Sequence, residues 1–268
     1  MGLAVGGVAL GAFYLTLPDV SPLAKSFPKT TAFMEKRRQE LSRSGQSPRL
    51  EWTPVPLAHI SPALRQAVII AEDARFYEHE GVDWDAVRGA AQKDWEKGTL
   101  RVGASTITQQ LAKNLYLSPA RTPWRKLREL AIARRLETTL SKQRILELYL
   151  NVVEFGWRTY GAEAAARRYF GKSAGSLSTR EAATLAAVIA SPRVYDPARH
   201  PERVARRAAR ILSRMRLSAE ETDDMAPSEP PHPPTPSITP ESVSVLGFPS
   251  PALRPLFAIL SVGCAKGR

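Results

Sequence analysis

The sequence predicts a mainly α-helical domain, and three observations carry that prediction. Helix start signals recur, with Ser61-Pro62, Thr122-Pro123 and Ser141 each opening a helix-like segment. The segment "DWDAVRGAAQKDWEKG" reads as a helix closed by Gly98. No convincing run of alternating strands appears anywhere in the chain.

Taken in order, Gly2–Leu17 carries no charge and is ended by Pro18 and Asp19. Crossing a bilayer takes roughly 20 apolar residues, with a lower limit near 17, so the run is a marginal anchor. It lacks the basic start and small-residue cleavage site of a signal peptide. Lys25, Lys29, Lys36, Arg37 and Arg38 follow it and nothing basic precedes it. Read literally, that bias puts the remainder in the cytoplasm. The other reading is a longer anchor whose basic leader lies upstream.

Residues 1–17 are therefore expected to form a transmembrane anchor and 18–50 a polar linker or approach segment. Residues 51–216 should form the compact domain. Its further helices are "STITQQLAKNLYL", "TPWRKLRELAIARRLETTL", "SKQRILELYLN", "STREAATLAAVIAS" and "PERVARRAARILSRM". From 217 to 268 the chain turns acidic and then Pro-rich, a composition that cannot bury a core and reads as disordered.

The 268 residues carry 38 Lys+Arg against 26 Asp+Glu, a formal charge of +12. Such an excess suits an anionic partner: nucleic acid, a membrane surface or a phosphorylated ligand. A generally Arg-rich proteome is the plainer alternative. Nucleic acid is disfavoured, because zinc-finger spacing, RNA-binding aromatics and repeats are all missing. A single cysteine, Cys264, rules out an intrachain disulfide, and no Cys/His cluster has metal-ligand spacing.

Three constellations carry candidate chemistry. In "QAVIIAEDARFYEHEG" an apolar run ends in Glu72 and Asp73, followed by Phe76 and His79. A carboxylate at the buried end of a helix has a raised pKa and suits general acid–base work. Solvated acids at an exposed helix end are the alternative. In "GASTITQQLAKN", Ser105 and Thr106 open a helix whose backbone N–H groups suit an anion, with Gln109, Gln110, Lys113 and Asn114 adding polar groups. The alternative there is a plain N-cap at Ser105. In "WRKLRELAIARRLE", Arg125, Lys126 and Glu129 share one helical face, opposite Leu127, Leu130, Ala131 and Leu136. A surface ion-pair helix explains that segment equally well. Together, a base, an oxyanion-type turn and a cationic cluster suit displacement of a phosphate-type leaving group by a hydroxyl.

With "EDARFYEHEG", "GASTITQQLAKNLYL", "RKLRE", "KQRILELYLNVVEFG" and "YGAEAAARRYFGK" in this order, the chain resembles the peptidoglycan glycosyltransferases, in particular the monofunctional biosynthetic transglycosylases. The resemblance covers roughly Pro18 to Met215. It implies a lysozyme-like helical domain with a small membrane-associated subdomain, an elongated cleft between them, and a preceding transmembrane helix. It implies polymerisation of lipid II into a β-1,4 glycan, with undecaprenyl diphosphate leaving and inversion at the anomeric carbon.

Carried over, Glu72 matches the essential base and Glu129 a second essential glutamate, which orients cations or holds a divalent ion. The first role is preferred because the helical neighbours of Glu129 are cations. Asp73, Phe76 and His79 would support the base. Ser105, Thr106, Gln109, Gln110, Lys113 and Asn114 would contact donor sugar and phosphate, and Arg125 and Lys126 the diphosphate. Ala104 departs from the family, which usually has a second Gly there. No cofactor is implied as required, with stimulation by Mg or Mn left open. Expected partners are lipid II, the growing glycan, inner-membrane lipids and cell-wall synthesis or division proteins. The expected location is the inner membrane, single-pass, with the domain on its periplasmic side. Two rivals remain: a peptidoglycan hydrolase on the same fold, and a non-catalytic membrane scaffold.

Overall fold

Three short segments around residues 51–52 and 154–160 supply the only sheet among the described residues; the rest is helix and turn. The structure, a computed structural model, describes residues 13–96, 105–120, 122–195, 197 and 199–224. The chain divides into a unit Met1–Met225 and a second, Ala226–Arg268, which lies outside the described residues. The disordered-tail expectation for 217–268 falls mostly there, but its first part, residues 217–224, is helical, a continuation of the helix that begins at Pro201. Most of the expected anchor, residues 1–12, also lies outside them. Among the described residues no helix is long and apolar enough to cross a membrane.

The segment 18–50, expected as a linker, carries a packed helix. Helix α1, Ala32–Arg43, starts at Thr31, whose hydroxyl accepts from the Met34 amide. It buries Met34, Arg37 and Leu41 and lies against the central helix α4. Its composition is polar enough to pass for a linker, but Arg37 is neutralised inside the fold. Its guanidinium donates to Glu154 at 2.8 Å and to Glu40 at 2.7 Å. A buried Arg without such partners would be prohibitive.

Strand β1, Glu51–Trp52, runs parallel to β3, Thr159–Tyr160, which in turn pairs antiparallel with β2, Glu154–Gly156. Glycine is required just after β3. Gly161 has φ +81°, and an added Cβ would lie 2.7 Å from the Asn151 carbonyl oxygen.

Helix α2, Pro62–Glu72, begins with Pro at its first position, as its sequence signals. Ser61 does not cap it; the Ser61 hydroxyl donates to the Leu177 carbonyl instead. Leu64, Ala67, Val68 and Ile70 face the core. Helix α3, Trp84–Glu96, follows. Helix α4, Ile107–Tyr116, is the central one, with seven of its ten residues buried. It packs on α5, Pro123–Thr139, and α6, Lys142–Val152. Helix α7, Ala162–Phe170, ends at Gly171 in the left-handed conformation.

Helix α8, Thr179–Ile189, opens with a Ser178/Glu181 capping box and buries a run rich in alanine. Small side chains let α2 lie close against it. Helix α9, Pro201–Asp224, uses Val204, Ala208, Ile211 and Met215, at four-, three- and four-residue steps, to pack on α8 and α2. The architecture therefore holds the end of α2 between α4 on one side and α9 on the other.

Candidate active site

Glu72 is the last residue of α2, where the apolar run stops and Asp73 turns the chain out of the helix. Its side chain is only 10% exposed. Burial, the largest influence, pushes its pKa up; a hydrogen bond from Gln110 and the positive charges of Arg207 and Lys113 act in the opposite direction. Gln110 Nε2 donates to Glu72 Oε2 at 2.9 Å, and Tyr149 Oη donates to Gln110 Oε1 at 2.9 Å, which fixes the amide's orientation. Glu72 Oε1 is different. It is buried and makes no hydrogen bond among the described residues, with Arg207 Nη2 3.5 Å away. One oxygen is thus held and one left able to accept a proton.

Asp73 turns the other way. Its carboxylate accepts from His79 Nε2 at 2.9 and 3.1 Å and from the Ile107 amide at 2.9 Å. It ties the end of α2 to the start of α4. Thr106, not Ser105, caps α4 and forms a capping box with Gln109. Thr106 also donates to the Gly81 carbonyl at 2.6 Å. Phe76 is fully buried, an apolar contribution of roughly 2 kcal/mol. Phe76, Thr106 and Gln109 therefore build the frame of the site, and Asp73 with His79 links it.

Helix α5 does not behave as a surface ion-pair helix. Glu129 is buried, 3% exposed, on the same side as Ile132, Ala133 and Leu136, while Leu127, assigned to the buried stripe, is 48% exposed. Arg125 Nη1 donates to Glu129 Oε2 at 2.5 Å and Lys126 Nζ to Glu129 Oε1 at 2.7 Å. Lys126 also reaches Ser105 Oγ and Gln109 Oε1, both at 3.3 Å. Both oxygens of Glu129 are therefore occupied by cations. Among the described residues no group of three His, Cys, Asp or Glu could hold a metal ion. The residues present do not fit a divalent ion held by Glu129.

A cleft of about 470 Å³ is lined by Glu72, Ser105, Gln110, Lys113, Asn114 and Arg207, among others. A second concavity of about 500 Å³ shares Glu72 and Ser105 and extends toward α3. Lys113 has its pKa lowered by burial, opposed by the charge of Glu129; Glu72 is also within electrostatic reach. It makes no hydrogen bond or close ion pair among the described residues. The cleft thus contains a carboxylate with one oxygen that makes no hydrogen bond and faces Arg207, and an ammonium with no hydrogen bond or close ion pair among the described residues. Gly103 and Ala104, the first part of the expected anion turn, lie outside the described residues.

Three groups at or behind the cleft escaped sequence reasoning: Arg207 and Glu154 line it, and Tyr149 supports Gln110 from the core. Arg207 is one of many arginines in a basic helix and carries no local signal. Glu154 and Tyr149 sit in the motif "KQRILELYLNVVEFG", which the resemblance uses as a whole without assigning either residue a place at the site. Both converge on the cleft region through tertiary packing.

A family profile described as Transglycosylase matches residues 37–216. The biosynthetic peptidoglycan transglycosylase of Nitrosospira multiformis is 50% identical over 188 residues, 70% of this chain and 82% of that protein. That of Methylobacillus flagellatus is 49% identical over 191 residues, 71% and 83% of the two chains. That of Chromobacterium violaceum is 47% identical over 188 residues, 70% and 82%. The match begins inside α1, in agreement with a helix there that belongs to the fold. With the profile covering most of the chain and the relatives nearly half identical, this chain belongs to the transglycosylase family.

Proposed function

We propose that this transglycosylase polymerises lipid II into β-1,4 glycan strands of peptidoglycan. The observation that carries the reading is the buried Glu72 at the cleft lined by Lys113 and Arg207, one oxygen held by Gln110 and the other without a hydrogen bond, 3.5 Å from Arg207. Glu72 takes the proton of the acceptor sugar's 4-hydroxyl as that oxygen attacks the donor's anomeric carbon. The bond from that carbon to the diphosphate breaks, and undecaprenyl diphosphate leaves with the electron pair. Attack opposite the leaving group inverts the configuration. Lys113, Arg125 and Lys126 meet the charge that develops on the diphosphate. Glu129 holds Arg125 and Lys126 in place and neutralises them while the cleft is empty. A lytic enzyme on a related fold would need no such cations.

Mg or Mn stimulation, in this reading, acts on the substrate's diphosphate, and no step here depends on it. Labelled lipid II given to the purified protein tests the proposal: glycan polymer supports it, and cleavage of preformed glycan without polymer favours the lytic alternative.

The polyprenyl tail requires the cleft to lie at a membrane surface, which we place at the periplasmic face of the inner membrane, with residues 1–17 as part of a single-pass anchor. Tyr14, Leu15, Trp84, Trp124 and Leu127 are exposed, and Phe13 packs edge-on against Trp124 at 5.1 Å. Exposed apolar and aromatic side chains of this kind support a membrane-associated face. Protease accessibility of the domain in spheroplasts tests that placement. Partners are lipid II, the growing glycan and inner-membrane lipids, together with proteins of cell-wall synthesis or division; nucleic acid is not among them.

A further inference from the structure

Many basic side chains among the described residues have an acidic partner, whereas α9 carries a row of arginines of which only two do. Arg37, Arg38, Arg75, Arg125, Arg134, Lys142, Arg144 and Arg167 all make ion pairs. On α9, Arg206 lies 3.7 Å from Glu202 and is 68% exposed, and Arg207 reaches Glu72. Arg203, Arg210 and Arg214 are exposed and make no ion pair or hydrogen bond among the described residues. With Arg206 they run at three- and four-residue steps, which stacks like charges on one helical face and destabilises a helix unless an anion lies over it.

These arginines line a hollow. Arg203, Arg206 and Arg210 form one wall and Val194 with Tyr195 the other, enclosing about 580 Å³. The hollow adjoins the catalytic cleft. Arg207, one residue from Arg206, lines that cleft, and its guanidinium lies 5.8 Å from the Tyr195 ring that lines the hollow. An extended substrate lying over Glu72 can therefore place an anionic branch against α9.

We propose that this hollow binds the carboxylates of the peptide branch carried by the sugar substrate, a proposal that rests on the peptidoglycan reading above. A glycan that bears short peptides presents several carboxylates per repeat, and guanidinium groups pair with carboxylates in two-point fashion. Continuity with the cleft favours substrate over a lipid surface. The side chains that share the hollow, Val194 and Tyr195, form a wall and not the broad apolar face that membrane docking uses.

The test is the Arg203→Ala/Arg210→Ala double variant of the full chain. Both positions are exposed on a helix where Ala is a better former, so folding is retained. With peptide-bearing lipid II the apparent KM should rise about fivefold with kcat held, the loss of two exposed charge pairs. With the same lipid carrying amidated peptide carboxylates, wild type and variant should match. Equal KM on the peptide-bearing substrate, or an equal loss on both substrates, overturns the proposal. Weaker binding of the variant to anionic vesicles with an unchanged KM overturns it in favour of a lipid surface. If the wild type makes no polymer from either lipid, the function proposed above fails. Titration with a soluble disaccharide bearing the acidic peptide then decides the hollow separately: binding by wild type and about fivefold weaker binding by the variant support it, and equal or no binding overturns it.

Discussion

Two buried glutamates sit on either side of α4 and are treated in opposite ways. Glu129 has a cation on each oxygen, Arg125 on one and Lys126 on the other. Glu72 has an amide on one oxygen and no hydrogen bond on the second. The first arrangement fills both oxygens of a carboxylate with cations, which holds those cations in place. The second leaves a carboxylate that burial pushes toward protonation, with one oxygen held only by a guanidinium 3.5 Å away. Under the proposed function, similar burial with different partners assigns one glutamate to orient cations and the other to act as the base.

The sharpest way to break this comparison is Glu72→Gln. Polymerisation should fall about 10²–10⁴-fold, the usual cost of removing a general base. The fold should gain stability, because Glu72 has its pKa raised on folding. Such a carboxyl stabilises the fold at pH below its unfolded pKa, and that contribution is lost as pH rises through the folded pKa. The Tm of the variant should therefore exceed that of wild type by an amount that grows with pH across that window. A variant with full turnover, or one that is unfolded, would contradict the assignment.

Glu129→Gln should behave in the reverse manner. It leaves Arg125 and Lys126 close together with no counter-charge, so stability should fall by roughly 3 kcal/mol and activity with it. Denaturant unfolding compared with that of Glu72→Gln separates the two roles: opposite signs are expected, and equal signs would merge them. Next in size, Lys126→Ala should reduce turnover about tenfold or more, since it removes a cation aimed at the leaving group. Arg134→Ala, on the same helix but paired only with exposed Glu80, should leave turnover unchanged. Equal small effects from the two would reduce α5 to a charged surface.

The smallest expected effect is a shift of the pH profile. The base must be ionised, so kcat/KM rises with pH through the Glu72 pKa, and its acid limb should lie above the ordinary glutamate range. Gln110→Leu removes the hydrogen bond that lowers this pKa, so the limb should move to higher pH. A limb that stays put would mean that the Gln110 amide does not govern the ionisation of Glu72.

Much of this protein is legible in its sequence because much of it is local. Thr122 and Ser141 cap α5 and α6 as their residue types and neighbours dictate. The apolar run before Glu72 reads as a buried helix and is one. The motif spacings identify the family without a structure. What the sequence could not disclose depends on partners far along the chain. The polar stretch 32–43 is a packed helix because Arg37 meets Glu154, 117 residues away. Thr106 and Gln109 look like ligand contacts but close the start of α4. Glu129 is buried rather than solvated because α5 turns that face toward α4. Arg207 approaches Glu72 across 135 positions, where no window of neighbouring residues could report it. Capping and periodicity act within a turn or two of chain, so sequence alone determined most helices of the domain from residue 62 onward and the residue types they carry. Burial and the pairing of distant charges exist only after packing, so tertiary structure alone decided which glutamate has cations on both oxygens and which has an amide on one and only a guanidinium 3.5 Å away on the other.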